Sequence, residues 1–197
     1  MPIDPNREMW KPGMSWEDAI SDIEYIKNLA KEMGGKDRIE RQHKAGLYTI
    51  RERLDKFLDP NSFLEYGPMI GAAEYDENGN MTEFTPGGYV MGLGEIDGRP
   101  VAIGGDDFTI SGGSPHNVHK GPKDFVQPLA IQYGIPYVQL IQGAGHSSKA
   151  DEAAGHMGLP DGGMWWRNVE TLKNVPVATG ILGPVAGWPA AHALMSH

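Results

Sequence analysis

The sequence contains no cysteine in its 197 residues. The chain therefore has no disulfide, no thiolate nucleophile and no cysteine-ligated metal site. It also lacks an apolar run long enough to cross a bilayer and an apolar N-terminal segment of the kind found in signal peptides. These absences predict a cytoplasmic protein without a membrane span.

Positive charge is also scarce, because 17 lysine and arginine residues face 26 aspartate and glutamate residues and the net charge is −9. Without an extended basic face, nucleic acid is not expected as a partner. Backbone amides or a few cations could still bind an anion locally. Glycine is plentiful, and the 27 glycines and 15 prolines are scattered among apolar runs. This scatter predicts many tight turns in a folded chain rather than disorder.

Two amphipathic helices are predicted in the first third of the chain. Ser15 and Asp18 have the spacing of a capping box at the start of a helix over residues 15–33, and its apolar face would include Ile20 and Ile23. Thr49 and Glu52 repeat the capping pattern at the start of a helix over residues 49–58. The segment between them is charged and carries no clear pattern.

Short strands and turns follow. Apolar residues on both sides of Asp97-Gly98 predict a hairpin with a type I′ turn. The other predicted elements alternate between strand and helix. They are a strand over residues 108–110, a helix over 122–133, a strand over 137–141, a helix over 164–173, a strand over 177–182 that Gly183-Pro184 would turn, and a helix over 186–195. Alternation of this kind indicates a layered α/β arrangement of βαβ units.

Two of these strands are each followed by a glycine corner. The first corner reads QGAGH over residues 142–146, and the second reads GPVAGW over residues 183–188. Each corner could present backbone N–H groups at a strand end, and the second would also open a helix, whose dipole favours negative charge. On neighbouring parallel strands the two corners would form a donor pair for one oxyanion, which thioester chemistry requires. The alternative is a pair of tight turns without chemistry, which many α/β proteins contain. A dinucleotide site fits less well, because the first corner lacks the third glycine.

One longer stretch resembles a known family. Residues 46–63, GLYTIRERLDKFLDPNSF, are similar to the N-terminal signature of the carboxyltransferase subunits of biotin-dependent acyl-CoA carboxylases, of the propionyl-CoA and methylcrotonyl-CoA type. Further segments resemble later pieces of the same family: GLGEIDGRPV at 92–101, DDFT at 106–109, GGS at 112–114, RN at 167–168 and GPVAG at 183–187. The resemblance runs from about residue 41 to residue 197. Residues 1–40 are therefore interpreted as an N-terminal helical extension, and residues 41–197 as the N-terminal, acyl-CoA-binding domain of a carboxyltransferase.

The resemblance implies a fold and an activity. The fold would be a crotonase-like βαβ spiral of the α/β class, here present as an incomplete domain. The reaction would transfer a carboxyl group from carboxybiotin to the α-carbon of an acyl-CoA through an enolate. Biotin would be carried by a biotin carboxylase or biotin carrier subunit, and the chain would work as a homo-oligomer or with a second carboxyltransferase half.

The resemblance also implies site residues. Backbone amides of two residues in each corner would hold the oxyanion, namely Gly145, His146, Gly187 and Trp188. Substrate contacts would come from Ala144, Gly112, Gly113, Ser114, Ala186 and Arg51. No metal site is expected, since His116 and His119 have no acidic or cysteine partner nearby.

The corners depart from the family pattern. The family's first corner reads D-S-G-G-A-R, and its second carries two adjacent glycines where this chain has Gly187 followed by Trp188. A bulky Trp188 would narrow the acyl pocket. The Gly-Gly-aromatic stretch before Arg167 is similar to the α-subunits of glutaconyl-CoA decarboxylases. Two alternatives therefore stay open: a decarboxylase-type α-subunit that moves CO2 from an acyl-CoA to biotin, and a non-catalytic CoA-binding protein of the same fold.

Other polar residues allow two interpretations each. The His146 side chain could bind substrate or act as a base, or only its amide could matter. A basic cluster could meet CoA phosphates or form a solvated or interface helix. Its members are Arg38, Arg41, His43, Lys44, Arg51 and Arg53.

Overall fold

The computed structural model describes residues 1–113, 123–143, 145, 152, 155 and 162–197, and only the backbone at 123, 124, 162–165 and 188. Its helices are α1 (Trp16–Lys31), α2 (Lys36–Lys44), α3 (Ile50–Phe57), α4 (Lys123–Tyr133), α5 (Gly162–Asn174) and α6 (Trp188–Ala193), with a 3-10 turn at Ser111–Gly113. Its strands are β1 (Leu64–Tyr66), β2 (Gly71–Tyr75), β3 (Met81–Pro86), β4 (Tyr89–Ile96), β5 (Arg99–Asp106), β6 (Tyr137–Gly143) and β7 (Val177–Val185).

Both predicted capping boxes are present. At α1 the Ser15 hydroxyl accepts from the Asp18 N–H at 3.1 Å, and the Asp18 carboxylate accepts from the Ser15 N–H at 3.2 Å. At α3 the Glu52 carboxylate accepts from the Thr49 N–H at 2.7 Å. Each box satisfies backbone donors that a helix start leaves open, which explains why short helices begin at these residues.

The main sheet has five strands in the order β1-β4-β5-β6-β7. Strands β1, β4 and β5 pair antiparallel, whereas β5, β6 and β7 pair parallel. The predicted hairpin joins β4 to β5, and φ is 51° at Asp97 and 70° at Gly98, as a type I′ turn requires. Strands β2 and β3 form a separate two-stranded sheet.

The predicted strand over residues 108–110 is wrong, because these residues form a turn that leads into the 3-10 turn. The Asp107 carboxylate accepts from the Thr109 N–H at 2.9 Å and from its hydroxyl at 2.6 Å. The first of these local bonds satisfies a backbone donor that a strand would offer to a neighbour. The predicted turn at Gly183-Pro184 is also wrong, since β7 continues through both residues to Val185.

Helices cover both faces of the five-stranded sheet. Ile50 and Leu54 of α3 pack with Ile103 of β5 on one face. Ala102, the neighbour of Ile103, packs with Val126 of α4 on the other face. Successive strand residues point to opposite faces, so this alternation places buried residues on both sides of β5. All seven residues of β6 are buried, which agrees with its predicted position inside the sheet.

A third cluster joins α1 to the two-stranded sheet through Ile26, Leu29 and Phe84. The predicted apolar face of α1 is only partly buried, since Ile20 is 58% exposed and Ile23 is 40% exposed. Helix α2, which was not predicted, spans the predicted boundary between residues 40 and 41, and that boundary stays a prediction. Among the described helices, none is long and apolar enough to cross a membrane.

Candidate functional site

The two glycine corners lie side by side. Strands β6 and β7 are hydrogen-bonded neighbours and run parallel, so their carboxyl ends meet at the same edge of the sheet. Beyond the paired region the Ala186 N–H donates to the Gly143 carbonyl oxygen at 3.0 Å. The two corners thus lie at the ends of neighbouring parallel strands, which is the arrangement that a donor pair for one oxyanion would need.

Gly145 and Gly187 bring the two backbones into contact. Their φ angles are +79° and +64°, which favour glycine. A Cβ atom on Gly145 would lie 2.6 Å from the Ala186 carbonyl oxygen, and one on Gly187 would lie 3.8 Å from the Gly145 Cα. A larger residue at 145 would therefore force the corners apart.

A third glycine segment packs against the first corner. Gly112 and Gly113 lie in the 3-10 turn with φ of 65° and 67°. A Cβ atom on Gly113 would lie 2.5 Å from the Gln142 carbonyl oxygen and 3.1 Å from the Gly143 Cα. The structure thus brings together Gly113, Gly145, Ala186 and Gly187, all predicted from the sequence, at one end of the sheet.

Several predicted residues lie outside the part of the chain that the structure describes. These are Ser114, Ala144 and His146, together with His116 and His119. Trp188 is the first residue of α6, and only its backbone is described. The roles predicted for these residues, and for the corner amides, stay predictions.

Arg51 forms an ion pair within the fold. Its two terminal nitrogens donate to the two carboxylate oxygens of Glu65 on β1, at 2.9 and 2.8 Å. Such a bidentate pair is the strong form of an arginine–carboxylate contact, and it holds α3 against β1. A phosphate would have to share or displace Glu65, and a substrate contact of Arg51 stays a prediction.

A buried polar network that the sequence patterns did not predict lies beside the corners. Arg53 donates from Nη2 to the Gln142 side-chain oxygen and to the Leu182 carbonyl oxygen, the latter at 3.0 Å. Gln42 donates to the same Gln142 oxygen at 2.8 Å. The sequence pattern could have indicated that Arg53 is buried, because it lies on the same helical face as the apolar residues Ile50 and Leu54, both of which are buried.

The network is embedded in a desolvated environment. Burial lowers the pKa of Arg53, and the charges of Asp107 and Glu52 oppose that shift. Burial raises the pKa of Asp107, and hydrogen bonds from Thr109 and the charges of Arg51 and Arg53 oppose it. An arginine keeps its charge even when it is buried, so each hydrogen bond that Arg53 donates is charge-assisted.

A cavity of about 380 Å³ opens beside the network on the α3 side of β7. Arg53 and Leu182 line it together with Leu140 and Phe57. At its rim the Lys56 Nζ lies 4.7 Å from the centroid of the Tyr48 ring. Across the described residues, no group of three or more His, Asp or Glu side chains is arranged to hold a metal ion.

Comparison with known proteins agrees with the resemblance seen in the sequence. The carboxyl transferase domain family matches residues 41–197. The chain is 34% identical over 174 residues to the carboxyltransferase subunit of propionyl-CoA carboxylase from Haloferax mediterranei, covering 88% of this chain and 33% of that one. It is 35% identical over 156 residues to the α-subunit of methylmalonyl-CoA decarboxylase from Veillonella parvula, covering 78% of this chain and 30% of that one.

A solved structure has a similar fold. The transcarboxylase 12S crystal structure, a hexamer with methylmalonyl-CoA and methylmalonic acid bound, superposes with a TM-score of 0.76 at 27% identity. The match covers 95% of this chain and 36% of that chain. The predicted crotonase-like α/β fold is thereby confirmed. The chain spans about one third of the length of the curated relatives it matches. With residues 41–197 matched and the fold shared, the chain belongs to the carboxyl transferase domain family.

Proposed function

We propose that the chain forms the acyl-CoA side of a biotin-dependent carboxyltransferase, which moves a carboxyl group from carboxybiotin to the α-carbon of an acyl-CoA. The observation that carries the proposal is the contact between Gly145 and Gly187 at the ends of two parallel strands. The closeness of the two backbones supports the proposal that both corners bind one small ligand atom. An acyl thioester has such an atom in its carbonyl oxygen.

The corners would act by electrostatic stabilisation. When the α-proton leaves an acyl-CoA, the electron pair of the C–H bond moves into an enolate and negative charge collects on the thioester oxygen. Amides of Gly145, His146, Gly187 and Trp188 would donate to that oxygen and lower the energy of the enolate. The α-carbon then forms a bond to the carbon of CO2, and the electron pair returns from the oxygen. Carboxybiotin would supply the CO2 when its N–CO2 bond breaks, and the biotin nitrogen freed in this way would take up the α-proton.

The substrate we propose is a short acyl-CoA. Similarity to propionyl-CoA carboxylase subunits supports this class. Gly112, Gly113, Ser114, Ala144 and Ala186 would leave room for the acyl group, because small residues permit close approach to the backbone. Partners would be a biotin carrier with its biotin carboxylase, and either further copies of the chain or a second carboxyltransferase half. A cytoplasmic location remains a prediction.

A second candidate is the reverse transfer, from an acyl-CoA to biotin. The 35% identity to the methylmalonyl-CoA decarboxylase α-subunit supports it. Both directions would use the same oxyanion contacts, because the same enolate lies between acyl-CoA and its carboxylated form. The assembled protein should be assayed with propionyl-CoA and with methylmalonyl-CoA. Carboxylation of the first supports transfer to the acyl-CoA, and decarboxylation of the second alone supports the reverse.

Calorimetric titration of the chain with propionyl-CoA and with free CoA tests the site. We expect tighter binding of the thioester, and a loss of that difference in Gly145→Ala, whose Cβ would lie 2.6 Å from the Ala186 carbonyl oxygen. Gly134→Ala is the matched control, because its φ is also positive, +63°, and no atom lies within 4 Å of its Cβ position. Equal binding of propionyl-CoA and CoA by the unaltered chain, or equal effects of the two variants, would contradict the proposal.

A further inference from the structure

Strand β7 carries a bulge that includes the first two residues of the second corner. The ladder between β6 and β7 pairs Ile141 with Ile181 and next pairs Gly143 with Val185. Gln142 therefore lies alone on β6 opposite Leu182, Gly183 and Pro184 on β7. Extra residues in one strand bend it and leave backbone groups without ladder partners. Pro184 has no N–H to offer, so it is suited to this position.

Arg53 and Gln142 occupy the space that the bulge creates. Arg53 donates to the Leu182 carbonyl oxygen at 3.0 Å, which supplies a partner for a carbonyl inside the bulge. It also donates to the side-chain oxygen of Gln142. Gln42 donates to the same oxygen. Gln142 is fully buried, and Arg53 and Gln42 are 7% and 6% exposed.

Gly183 leaves room for the Gln142 side chain. A Cβ atom at this position would lie 2.7 Å from the Gln142 Cδ and 2.8 Å from its Cγ. The φ of Gly183 is not positive, so steric space rather than backbone conformation requires glycine here. A glycine in the bulge is therefore needed for the Gln142 side chain to take its place in the network.

We propose that Arg53 is a positioning residue that holds the β7 bulge through Gln142 and Leu182 and so sets how the two glycine corners meet. This inference rests on the proposed function, and in it Arg53 acts on the site through the backbone of β7 without contacting substrate. The first hydrogen bond beyond the bulge joins the Ala186 N–H to Gly143, and the contact between Gly145 and Gly187 follows directly. A buried guanidinium must keep its acceptors to avoid a large desolvation cost, so this network favours a single geometry.

Two substitutions disturb the network from opposite sides. Gly183→Ala pushes the Gln142 side chain without removing any donor. Arg53→Lys keeps the charge but replaces the planar guanidinium with a single ammonium group. The matched control is Gly180→Ala on the same strand, where the Cβ would meet the Leu140 Cδ2 at an ordinary 3.5 Å. If the lysine variant does not fold, Gly183→Ala and its control decide the question.

The first readout is amide hydrogen exchange at Ala186 in the unliganded chain, measured by NMR. We expect exchange at least about tenfold faster in Gly183→Ala and in Arg53→Lys, with no change in Gly180→Ala, because a shifted bulge weakens the bond to Gly143. Exchange equal to that of the control in both network variants would overturn the proposal. This readout needs no substrate, so it stays decisive even if the proposed function fails.

The second readout separates positioning from general destabilisation. Affinity for propionyl-CoA should fall about tenfold in both network variants while affinity for free CoA stays at the level of the control. A merely structural loss would lower both affinities together and would overturn the proposal, as would a loss confined to Arg53→Lys. If the unaltered chain binds propionyl-CoA no better than CoA, the proposed function fails, and the exchange at Ala186 alone decides the role of Arg53.

Discussion

Buried charge is the main residue-scale feature of this chain. Asp107 is 1% exposed and Arg53 is 7% exposed, and the charges of the two groups interact. Burial raises the pKa of the Asp107 carboxyl above its ordinary value of 3.8, although Thr109 and two arginine charges favour the ionised form. The desolvation of the carboxylate therefore outweighs its attractive contacts.

This balance predicts how Asp107→Asn changes stability with pH. A raised pKa means that the folded state holds the proton longer than the unfolded state. Stability is then greatest below the ordinary pKa and declines as pH rises through the folded-state pKa. The asparagine variant does not ionise, so its free energy of unfolding relative to the parent should increase between about pH 4 and about pH 7. Urea titrations at both pH values measure the difference.

Asp55→Asn on the exposed side of α3 is the control for that experiment, since the same substitution is made at a solvated carboxylate. A relative stability of Asp107→Asn that stays level or falls across this range would show that the arginine charges, and not burial, govern the carboxyl.

At the scale of single elements, the hairpin between β4 and β5 depends on local conformation. Gly98 has φ of +70°, and no atom lies within 4 Å of the position that a Cβ would occupy. Gly98→Ala should therefore lower the free energy of unfolding by about 1 kcal/mol through backbone strain alone. Chemical denaturation followed by circular dichroism measures the loss.

Gly88→Ala supplies the comparison for the hairpin, because a Cβ there would meet its nearest neighbour, Ile110, at 3.8 Å and φ is not positive. A loss as large in this variant as in Gly98→Ala would contradict the explanation by the left-handed turn, because alanine at a compatible φ restricts the unfolded chain and should not destabilise the fold.

Two elements show where local patterns stop being informative. Helix α2 fully buries only Gln42, so its sequence carries no apolar stripe. Contacts far along the chain hold it, from Gln42 to Gln142 and from Ile39 to the core cluster of Ile103. The bulge in β7 was interpreted as a turn because Gly-Pro is a frequent turn sequence. A strand continues there because a neighbouring strand and an arginine from α3 satisfy its backbone.

At the scale of the whole molecule, the N-terminal helix and the small sheet share a core of their own. Leu29 is 8% exposed and packs with Phe84 of β3 in a cluster separate from the two on the faces of the five-stranded sheet. A two-stranded sheet alone is marginally stable in water. The packing of α1 is therefore expected to hold β2 and β3 in place.

Leu29→Ala tests this dependence. Removal of a buried leucine side chain costs about 2–5 kcal/mol where the site cannot collapse. Hydrogen exchange of amides in β2 and β3 should accelerate strongly, whereas amides of β5 and β6 should change little, and mass spectrometry of peptides resolves the two groups. Ile20→Ala on the same helix, at a position that is 58% exposed, should leave both groups unchanged. Equal acceleration in the two sheets would indicate one cooperative unit.

The sequence by itself determined the features that depend on neighbouring residues. The capping boxes at Ser15 and Thr49, the Asp97-Gly98 turn and the glycine corners at the ends of β6 and β7 all follow from local hydrogen bonding and local backbone freedom. The family signature over residues 46–63 added the fold, which the match to known structures confirms. The placement of the corners on neighbouring parallel strands was also predictable, since βαβ order favours it.

Only the tertiary structure decided how the corners meet and what lies beside them. The approach of Gly145 to Gly187, the pairing of Arg51 with Glu65 and the bond from Arg53 to Gln142 join residues that are distant in the chain. Such contacts depend on which strand pairs with which and in what register. A charged residue at the edge of an apolar helix face can equally well be solvated or buried until its partners are in place. Burial then makes each missing hydrogen bond costly, so the assembled fold and not the local pattern selects the partner.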